Sequence, residues 1–485
     1  MRKSLHTMLI ALAAMMMPLG MWAQEAQWGT SKENLTKSGT LKAAFEAARN
    51  NSDIQYIQLL GDVETTTKYN AYDGTFTLDL NGHTLTSSDV NAIYFTYGTV
   101  TITDESANQT GKIILSNTSN ESAILYVSPF QTMGEMSLTI EGGTYEGGGC
   151  AVQTNTTTSY ITFNGGAFCN QTKATVHYTF GKLDFSGHSN PSNISIYNYS
   201  GNVAIDNENI VLSNGYVIFD SNDNIMSGYL TNGNTYTLGI ANLAITDNGT
   251  ITTFSQNSGK VGTLTYTRAL PNNEWNAFFV PFEIPVSQLS NNYDVAYFNN
   301  MHAYDRDNDG TIDEMDMEVI FIKEGTLHAN HPYFIRAKSD AAKAMTLNLN
   351  KVTLHNTAVE NRTSITTSSA YLEFTLAGVY EQKAGAEGVY AINTEGAWSP
   401  IADGYFLNPF RLYLQMTSRN GSPVKVDPQA AQAIRIRAKG EGTTSIEDAE
   451  ICNQNSEIIY DLMGRRVSEP QKGGIYIVNG MKVVF

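Results

Sequence analysis

Short segments in which apolar and polar residues alternate recur through the first half of the chain, and most end in Gly or Asn. Each has a central apolar residue, and the six anchors are Leu80, Ile102, Ile140, Phe163, Phe185 and Ile205. They are separated by 22, 38, 23, 22 and 20 residues, and the long interval holds one further strand, residues 113–115. A strand and a turn in every 20 to 25 residues, roughly, is typical of a solenoid whose coils bury their inward side chains against one another. The pattern predicts an all-β fold, a right-handed parallel β-helix over residues 61–215, with the six anchors in one inward column.

Residues 24–60 are predicted to cover the first coil. Residues 24–37 are polar and predict a loose leader, whereas residues 54–60 predict the first strand. Between them, Thr40–Asn50 predicts a helix that Thr40 can cap. Its apolar face consists of Leu41, Ala44, Phe45 and Ala48. Such a helix would shield the apolar end and the unpaired strand edges of the first coil.

The second half of the chain loses the coil period. Residues 216–262 contain Asn-Gly turns and predict a junction or cap of antiparallel strands. Residues 263–440 predict a β-sandwich, because short strand candidates follow one another without intervening helices. These candidates are Glu318–Ile322, Tyr333–Ala337, Met345–Leu349, Tyr371–Leu376, Gly388–Ile392, Phe410–Met416 and Ile434–Ala438. Residues 441–485 predict a polar linker and a small β tail with a hairpin at Asn479-Gly480.

The N-terminus has the features of a secretory signal peptide over residues 1–23. Arg2 and Lys3 precede the apolar run Met8–Trp22, which Pro18 interrupts and which is too short to span a bilayer. Ala23 supplies a small residue for cleavage. No later run reaches 18 apolar residues. The sequence therefore predicts an exported protein, extracellular or on the outer cell surface, without a membrane-spanning segment.

The net charge narrows the range of partners. It is −17 for the whole chain, and loss of Arg2 and Lys3 with the signal peptide would bring it to about −19. Nucleic acids and anionic membranes are disfavoured because phosphate binding requires a basic surface. The three cysteines, Cys150, Cys169 and Cys452, include no CxxC pair and so do not predict zinc. Their odd number excludes complete intrachain pairing; Cys150 and Cys169 could face each other or be buried as small apolar residues.

One acidic segment matches the spacing of a calcium-binding loop. Oxygen-bearing residues occupy loop positions 1, 3, 5, 7 and 9, Gly310 occupies position 6, and position 12 is Asp where Glu is usual. The predicted calcium ligands are Asp305, Asp307, Asp309, Thr311, Asp313 and Asp316. The flanking segments predict strands rather than helices. The alternative is a solvated hairpin, since Asp, Asn and Gly also form turns.

Carboxylates on the predicted β-helix do not form a catalytic pair. The positions after the anchors are Asn81, Thr103, Glu141, Asn164, Ser186 and Asp206, and those before them are Asp79, Thr101, Thr139, Thr162, Asp184 and Ala204. Neither column places acids on adjacent coils, although glycoside cleavage requires two carboxyl groups roughly 5 to 10 Å apart. Other arrangements remain open, with Glu141 and Asp104 as candidate surface acids.

Several aromatic and histidine side chains are candidates for binding. Five tyrosines could stack on sugar rings or pack within the coils: Tyr94, Tyr97, Tyr145, Tyr160 and Tyr178. His83, His177 and His188 are expected to be scattered turn or surface residues. The threonines of the column before the anchors are expected to form a hydroxyl ladder.

Some of these segments resemble known families. Leu59–Val63, Leu78–Leu85, Gly98–Ile102 and Ile140–Tyr145 resemble pectin-lyase-like, adhesin-type β-helix proteins of gut Bacteroidetes, and the resemblance covers about residues 40–215. It implies the fold but leaves activity open, because members include lyases, hydrolases and non-catalytic surface proteins.

The rest of the chain resembles other secreted proteins of the same phylum. Trp275–Phe282, His331–Ala337 and Phe410–Tyr413 are similar to a sandwich module found there. Ile459–Val467 and Lys472–Val483 resemble a C-terminal secretion and sorting domain, which implies contact with the secretion machinery.

The expected function is a non-catalytic, adhesin-like protein that presents an elongated β-helix to glycans or host surfaces. A polysaccharide lyase or glycoside hydrolase acting on pectin-like or host glycans is the first alternative. A spacer that holds the sandwich away from the cell is the second.

Overall fold

The computed structural model describes most of the chain from residue 24 onward. The described ranges are 24–129, 134–192, 194–206, 208–247, 259–307, 309, 311–355, 364–368, 372–386, 388–402, 404–418, 425–426, 434–439, 459–461, 466–467, 475–478 and 481–484. The predicted signal peptide, the linker at 441–449, Cys452, Asn308 and Gly310 lie outside them.

The first half of the chain is a parallel β-solenoid of about eight turns, as the periodicity predicts. Its coils have three sides. Sheet A has the order β2-β1-β3-β6-β9-β12-β15-β18-β21. Its strands are β1 (Ala26–Ser31), β2 (Asn34–Gly39), β3 (Tyr56–Leu59), β6 (Gly74–Asp79), β9 (Gly98–Thr103), β12 (Met136–Ile140), β15 (Ser159–Phe163), β18 (Lys182–Asp184) and β21 (Ile210–Val211).

The other two sides are sheets B and C. Sheet B has the order β16-β13-β10-β7-β4 and contains β4 (Val63–Thr65), β7 (Thr84–Ser87), β10 (Lys112–Leu115), β13 (Thr144–Gly147) and β16 (Ala167–Cys169). The coil strands of sheet C are β5 (Tyr69–Ala71), β8 (Asn91–Phe95), β11 (Ala123–Val127), β14 (Cys150–Thr154), β17 (Ala174–Tyr178) and β19 (Ser195–Asn198). The strand predicted at residues 113–115 is β10.

Four of the six predicted anchors stack in one inward column. Ile102 pairs with Ile140, Ile140 with Phe163, and Phe185 continues the column with its ring 4.6 Å from that of Phe163. The position predicted for Leu80 is wrong, because Leu78 pairs with Ile102. Phe76, Leu78 and Leu80 alternate with polar residues, so the pattern alone leaves the register ambiguous by two residues.

The position predicted for Ile205 is also wrong. It follows β20 (Val203–Ala204), which pairs with β23 (Tyr229–Leu230) outside sheet A. Sheet A resumes only at Ile210, which pairs with Leu183. Because the chain leaves sheet A between β18 and β21, Ile205 falls near the expected spacing but lies outside the inward column.

The N-terminal cap is larger than the sequence predicts. Helix α1 (Leu41–Asn50) buries the four predicted apolar residues, and the Thr40 hydroxyl accepts a hydrogen bond from the Ala43 N–H. The loose leader predicted for residues 24–37 is wrong, because β1 and β2 form an antiparallel hairpin that pairs with the first coil strand. The hairpin supplies backbone partners to an edge that would otherwise be open.

Sheet C extends beyond the solenoid into the second half of the chain. Its order is β33-β25-β24-β19-β17-β14-β11-β8-β5. The added strands are β24 (Thr235–Thr246), β25 (Gly259–Ala269) and β33 (Ala344–Leu354), and β22 (Tyr216–Phe219) also pairs with β24. The junction is therefore not wholly antiparallel as predicted, since β24 and β25 run parallel.

The second half contains the predicted β-sandwich. Sheet D has the order β26-β32-β28-β30-β42, with β26 (Asn276–Phe278), β28 (Tyr293–Tyr304), β30 (Glu314–Phe321), β32 (Tyr333–Ala337) and β42 (Arg435–Ala438). Sheet E has the order β34-β35-β40-β37-β38, with β34 (Ser364–Ser368), β35 (Leu372–Val379), β37 (Val389–Ile392), β38 (Trp398–Pro400) and β40 (Arg411–Ser418). One apolar core joins both sheets and includes Phe279, Phe334 and Trp398. All seven strand candidates coincide with strands, although Met345–Leu349 belongs to sheet C.

Short elements complete the chain. Three two-stranded ladders are formed by β27 (Ile284–Pro285) with β31 (Thr326–Leu327), β29 (Thr311–Ile312) with β41 (Lys425–Val426), and β36 (Lys383–Ala384) with β39 (Phe406–Leu407). Two 3₁₀ turns span Val286–Gln288 and Ala341–Lys343. The predicted β tail is a sheet of order β44-β43-β45-β46, with β43 (Ile459–Asp461), β44 (Arg466–Val467), β45 (Ile475–Val478) and β46 (Met481–Val484).

Candidate functional site

The outer face of sheet A carries short polar side chains. The strand register places Thr77, Thr101, Thr139 and Thr162 in one column, followed by Asp184, so the expected hydroxyl ladder is present and one residue longer. The next outward column reads Asp79, Thr103, Glu141 and Asn164. The corrected register therefore still places no two acids on adjacent coils among the described residues of these columns.

Asp104 is a structural acid rather than the surface acid that the sequence suggested. It is only 4% exposed, and its carboxylate accepts hydrogen bonds from the backbone N–H groups of Gly82, Ser106 and Gly111. Burial raises the pKa of this carboxyl, but the backbone donors outweigh that effect and the pKa lies below its ordinary value. Asp104 thus stays ionised and holds the turn that follows β9.

The outer face of sheet C differs, because it carries a continuous column of aromatic and amide side chains. Six consecutive strands place one member each in register, and we call this column the aromatic ladder: Asn70, Tyr94, Tyr126, Gln153, His177 and Tyr197. Neighbouring parallel strands lie about 4.8 Å apart, so the ladder extends about 24 Å along the solenoid axis.

Ring contacts hold the ladder together. Tyr94 and Tyr126 stack with their centroids 5.3 Å apart, and Tyr72 meets Tyr94 edge-on at 6.2 Å. At the other end, His177 meets the rings of Tyr197 and Tyr199 edge-on, each at 5.3 Å. Tyr199 remains 59% exposed. These contacts fix the orientation of the rings before any ligand binds.

Positive side chains flank the ladder at both ends. The Lys68 amine lies 5.1 Å from the ring centroid of Tyr94, and the Lys173 amine lies 4.1 Å from that of Tyr197. The Arg49 guanidinium lies 5.4 Å from the ring of Tyr72. Cations over aromatic faces are held by the ring quadrupole. The ladder therefore combines apolar faces with hydrogen-bond donors.

Two members of the ladder have polar atoms that lack partners within the described part of the chain. Both ring nitrogens of His177 and the side-chain oxygen of Gln153 are buried without a hydrogen bond. Burial, and then the charge of Lys173, lowers the pKa of His177 to about 4, so the ring is neutral at physiological pH. His177 is thus a buried strand residue and not the turn or surface histidine that was expected; His188 is buried as well.

The ladder leads into a cleft at its N-terminal end. The cleft has a volume of about 410 Å³ and lies between helix α1 and sheet C. Its polar lining includes Glu46, Arg49, Lys68, Asn70 and Asp89. The aromatic ladder and this cleft form one continuous surface of the solenoid.

The five tyrosines singled out in the sequence separate into two groups. Tyr145 and Tyr178 are buried inside the coils, and Tyr145 stacks on Phe168 at 5.2 Å. Tyr94, Tyr97 and Tyr160 are partly exposed, but only Tyr94 belongs to the ladder. Sequence reasoning missed Tyr126, Gln153 and Tyr197, and it placed His177 in a turn or at the surface. Alignment of the sheet C segments, in the way applied to sheet A, would have brought them together.

A smaller cleft lies on the outer face of sheet A. It has a volume of about 340 Å³ and is lined by Glu135, Tyr160, Lys182 and Asp184, among others. Asp184 stands opposite Thr162, which stands opposite Thr139, so it is two strands and four residues away from Glu135. Strand geometry separates the two Cα atoms by about 16 Å. Action on one glycosidic bond would require the two carboxyl groups themselves, at the ends of their side chains, to lie roughly 5 to 10 Å apart.

The acidic loop of the sandwich joins β28 to β30, so strands flank it as predicted. Carboxylate oxygens of Asp305, Asp307 and Asp313 all lie within 4.8 Å of one another. The Asp309 N–H donates to the carboxylates of Asp305 and Asp307. Asp316 lies in β30 and pairs with Arg437 at 3.2 Å, and the side chain of Thr311 lies outside the described part. Calcium binding stays a prediction.

The two described cysteines are free thiols. Cys150 is buried in sheet C, whereas Cys169 is half-buried in sheet B, so the pairing left open by their spacing is not formed. Burial raises the pKa of Cys150 to about 12, which makes it a poor nucleophile at neutral pH.

Comparison with known proteins adds no assignment. The chain matches no protein family, no curated protein and no solved structure. Within the described ranges, no helix is both long enough and apolar enough to cross a lipid bilayer. The coil arrangement itself is consistent with a pectin-lyase-like fold.

Proposed function

We propose that this is an exported, non-catalytic binding protein that presents the aromatic ladder to glycans. The observation that carries the proposal is the register of Tyr94, Tyr126, Gln153, His177 and Tyr197 on five adjacent strands. A row of this kind offers binding surface at little entropic cost, because Tyr94 is already packed on Tyr126 and His177 on Tyr197.

The chemistry of the ladder suits a sugar chain. The apolar C–H faces of a pyranose ring can pack on tyrosine faces, while its hydroxyls require hydrogen-bond partners. Lys68 and Lys173 supply hydrogen-bond donors near the two ends of the ladder, whereas the unpartnered polar atoms of Gln153 and His177 are buried. An extended oligosaccharide along the solenoid axis would pack on the tyrosine rings and meet a lysine amine near each end.

The location and origin belong to the same proposal. The signal-like residues 1–23 and the resemblance of the tail to a Bacteroidetes sorting domain support export through a dedicated secretion machinery to the cell surface. The resemblance of the coils to adhesin-type β-helix proteins supports glycans or host surface molecules as partners.

A glycan array with matched variants tests the proposal. Tyr126→Ala and Tyr197→Ala each remove one ring of the ladder and should weaken binding about tenfold, because stacked aromatic contacts each contribute about 1 kcal/mol or more. Tyr160→Ala removes a ring from sheet A and should leave binding unchanged. Blank arrays and blank cell-binding assays with the unaltered protein would contradict the proposal and favour the spacer.

The alternative of a lyase or hydrolase is favoured by one observation, the cleft that contains Glu135, Lys182 and Asp184. Depolymerisation of a pectin or host glycan, lost in both Glu135→Gln and Asp184→Asn, would establish it. Binding without cleavage, lost in Tyr126→Ala, would support the ladder instead.

A further inference from the structure

A buried charge cluster lies where the extension of sheet C meets sheet E. Asp247 follows β24, Arg268 lies in β25 and Arg411 begins β40, so three distant parts of the chain meet there. Both arginines line a cavity of about 200 Å³. The other polar residues that line it are Asn276, Asn393 and Thr394.

Arg268 has unusual surroundings for a charged residue. It is 4% exposed, and its Nε and Nη1 atoms make no hydrogen bond of ordinary geometry among the described residues, although the buried Tyr266 hydroxyl lies beside the guanidinium. Within the described part of the chain, its carboxylate partner is Asp247, whose Oδ2 lies 3.7 Å from Nε, beyond hydrogen-bonding distance. A buried guanidinium with unmet donors is costly, because those donors lose their hydrogen bonds to water.

Asp247 is already engaged by the second arginine. Nη2 of Arg411 donates to the Asp247 carboxylate at 2.7 Å. Two positive charges therefore share one negative charge. Burial, and then the charge of Arg411, lowers the pKa of Arg268 to about 10. The arginine remains charged at neutral pH, so among the described residues this cluster has two positive charges and one negative charge beside the cavity.

We propose that this cavity binds a small oxyanion, held by Arg268 and Arg411. Guanidinium groups bind carboxylate, sulfate and phosphate oxygens through charge-assisted hydrogen bonds. Asn393 and Thr394 line the same cavity and add polar groups that a bound oxyanion can meet. The site lies where sheet C meets sheet E, apart from the aromatic ladder, and does not depend on the glycan-binding proposal.

The size of the cavity restricts the ligand. Its volume of about 200 Å³ is below the roughly 300–1,000 Å³ of pockets for drug-sized ligands. A free inorganic anion or the acidic group of a small organic acid fits this scale, whereas a polysaccharide chain does not. The predicted ligand is therefore a compact oxyanion. Calorimetry can distinguish tetrahedral anions from planar carboxylates.

Calorimetric titration of the full chain tests the proposal. One arm of the experiment uses the tetrahedral anions phosphate and sulfate, and the other uses the carboxylates acetate and glucuronate. All are sodium salts, and sodium chloride keeps the ionic strength constant. We expect one class to bind saturably with one ion per chain and to raise Tm. The arm that responds identifies the geometry of the anion. If every salt gave the same heat and the same Tm as sodium chloride alone, the proposal would be overturned.

Three variants locate the effect. Arg411→Gln removes one guanidinium and should weaken anion binding about tenfold or more. Asp247→Asn removes the competing carboxylate and should strengthen it, an effect of opposite sign that general destabilisation would not produce. Arg437→Gln, which breaks another Arg–Asp pair of the sandwich outside the cavity, should leave binding unchanged.

The variants also keep the proposal falsifiable if one of them does not fold. Arg268 itself is left unaltered because it is only 4% exposed, and Arg411→Gln and Asp247→Asn each test the site independently. Binding of equal strength in the unaltered protein and both of these variants would show that the anion binds elsewhere and would overturn the assignment.

Discussion

Sheets A and C of the solenoid share coils, strand spacing and an apolar interior, yet their outer faces differ. Sheet A presents short hydroxyls, with Thr77, Thr101, Thr139 and Thr162 in one column. Sheet C presents Tyr94, Tyr126 and Tyr197 with Gln153 and His177 between them. The backbone sets the repeat on both sides, so the identity of the outward column determines what each face can bind. Four changes would break or sharpen this contrast.

The largest effect is expected from the interior that supports both faces. Phe163→Ala should destabilise the solenoid by about 3–5 kcal/mol, because Phe163 is fully buried and stacked on Phe185. The neighbouring Thr162→Ala, which faces outward, should cost about 0.5 kcal/mol or less. Urea unfolding followed by circular dichroism measures both. Equal costs would contradict the assignment of inward and outward columns.

A smaller effect is expected at the turn that follows β9. Asp104→Asn should cost about 1–3 kcal/mol at pH 7, since the ionised carboxylate accepts three backbone hydrogen bonds. The pKa of Asp104 is lowered in the folded state, so its contribution is present above the ordinary pKa of Asp and is lost as pH falls through the folded value. The difference in stability between the two proteins should therefore begin to shrink as pH falls below about 4, the ordinary pKa of Asp, and should disappear below the folded pKa of Asp104. A difference that persists at low pH would contradict this role.

Transfer of rings from one face to the other sharpens the contrast directly. Thr139→Tyr with Thr162→Tyr places two stacked rings on sheet A and should change stability by less than about 1 kcal/mol, because tyrosine suits exposed strand positions. If a row of rings suffices, calorimetry should show a second, weaker glycan site. Unchanged stoichiometry would show that Gln153, His177 or the flanking lysines are also required.

Neither face should respond to changes in the acidic loop of the sandwich. Calcium at 100 times its Kd should stabilise the sandwich by about 2.7 kcal/mol, and Asp313→Asn should abolish that effect. Asp316→Asn should weaken that effect, since Asp316 occupies position 12 of the predicted calcium-binding loop. Calorimetry with calcium chloride, and magnesium chloride as control, measures the response. If calcium produced no heat, the prediction of a calcium site would be wrong. Glycan binding should be the same with and without calcium and in both loop variants.

Much of the fold could be predicted because the coil period is a one-dimensional signal. Ile102, Ile140, Phe163 and Phe185 have the right spacing and do stack, and the face of helix α1 was correct residue by residue. Leu80 shows the limit of that signal. Apolar and polar residues alternate over six residues there, so the pattern also allows a strand register shifted by two residues. The polar β1–β2 hairpin gave no apolar pattern to recognise.

The candidate site was harder to predict than the fold. Tyr126 and His177 become neighbours of Tyr94 and Tyr197 only through pairing of sheet C, whose strands have irregular separations in the sequence. The charge cluster is harder still, since Asp247, Arg268 and Arg411 are brought together by the packing of separate sheets. Sequence patterns report which way a side chain points but not which distant group it meets.

The continuity of sheet C has a mechanical consequence. Strand β19 of the last coils pairs with β24, β24 with β25, and β25 with β33 over ten residue pairs, so one hydrogen-bonded sheet extends from the aromatic ladder to strands that pack into the core of the sandwich. A force applied to the exposed tyrosine rings would pass from strand to strand through these backbone hydrogen bonds. Only three residue pairs join β19 to β24, whereas ten join β25 to β33, so the β19–β24 pairing would separate first.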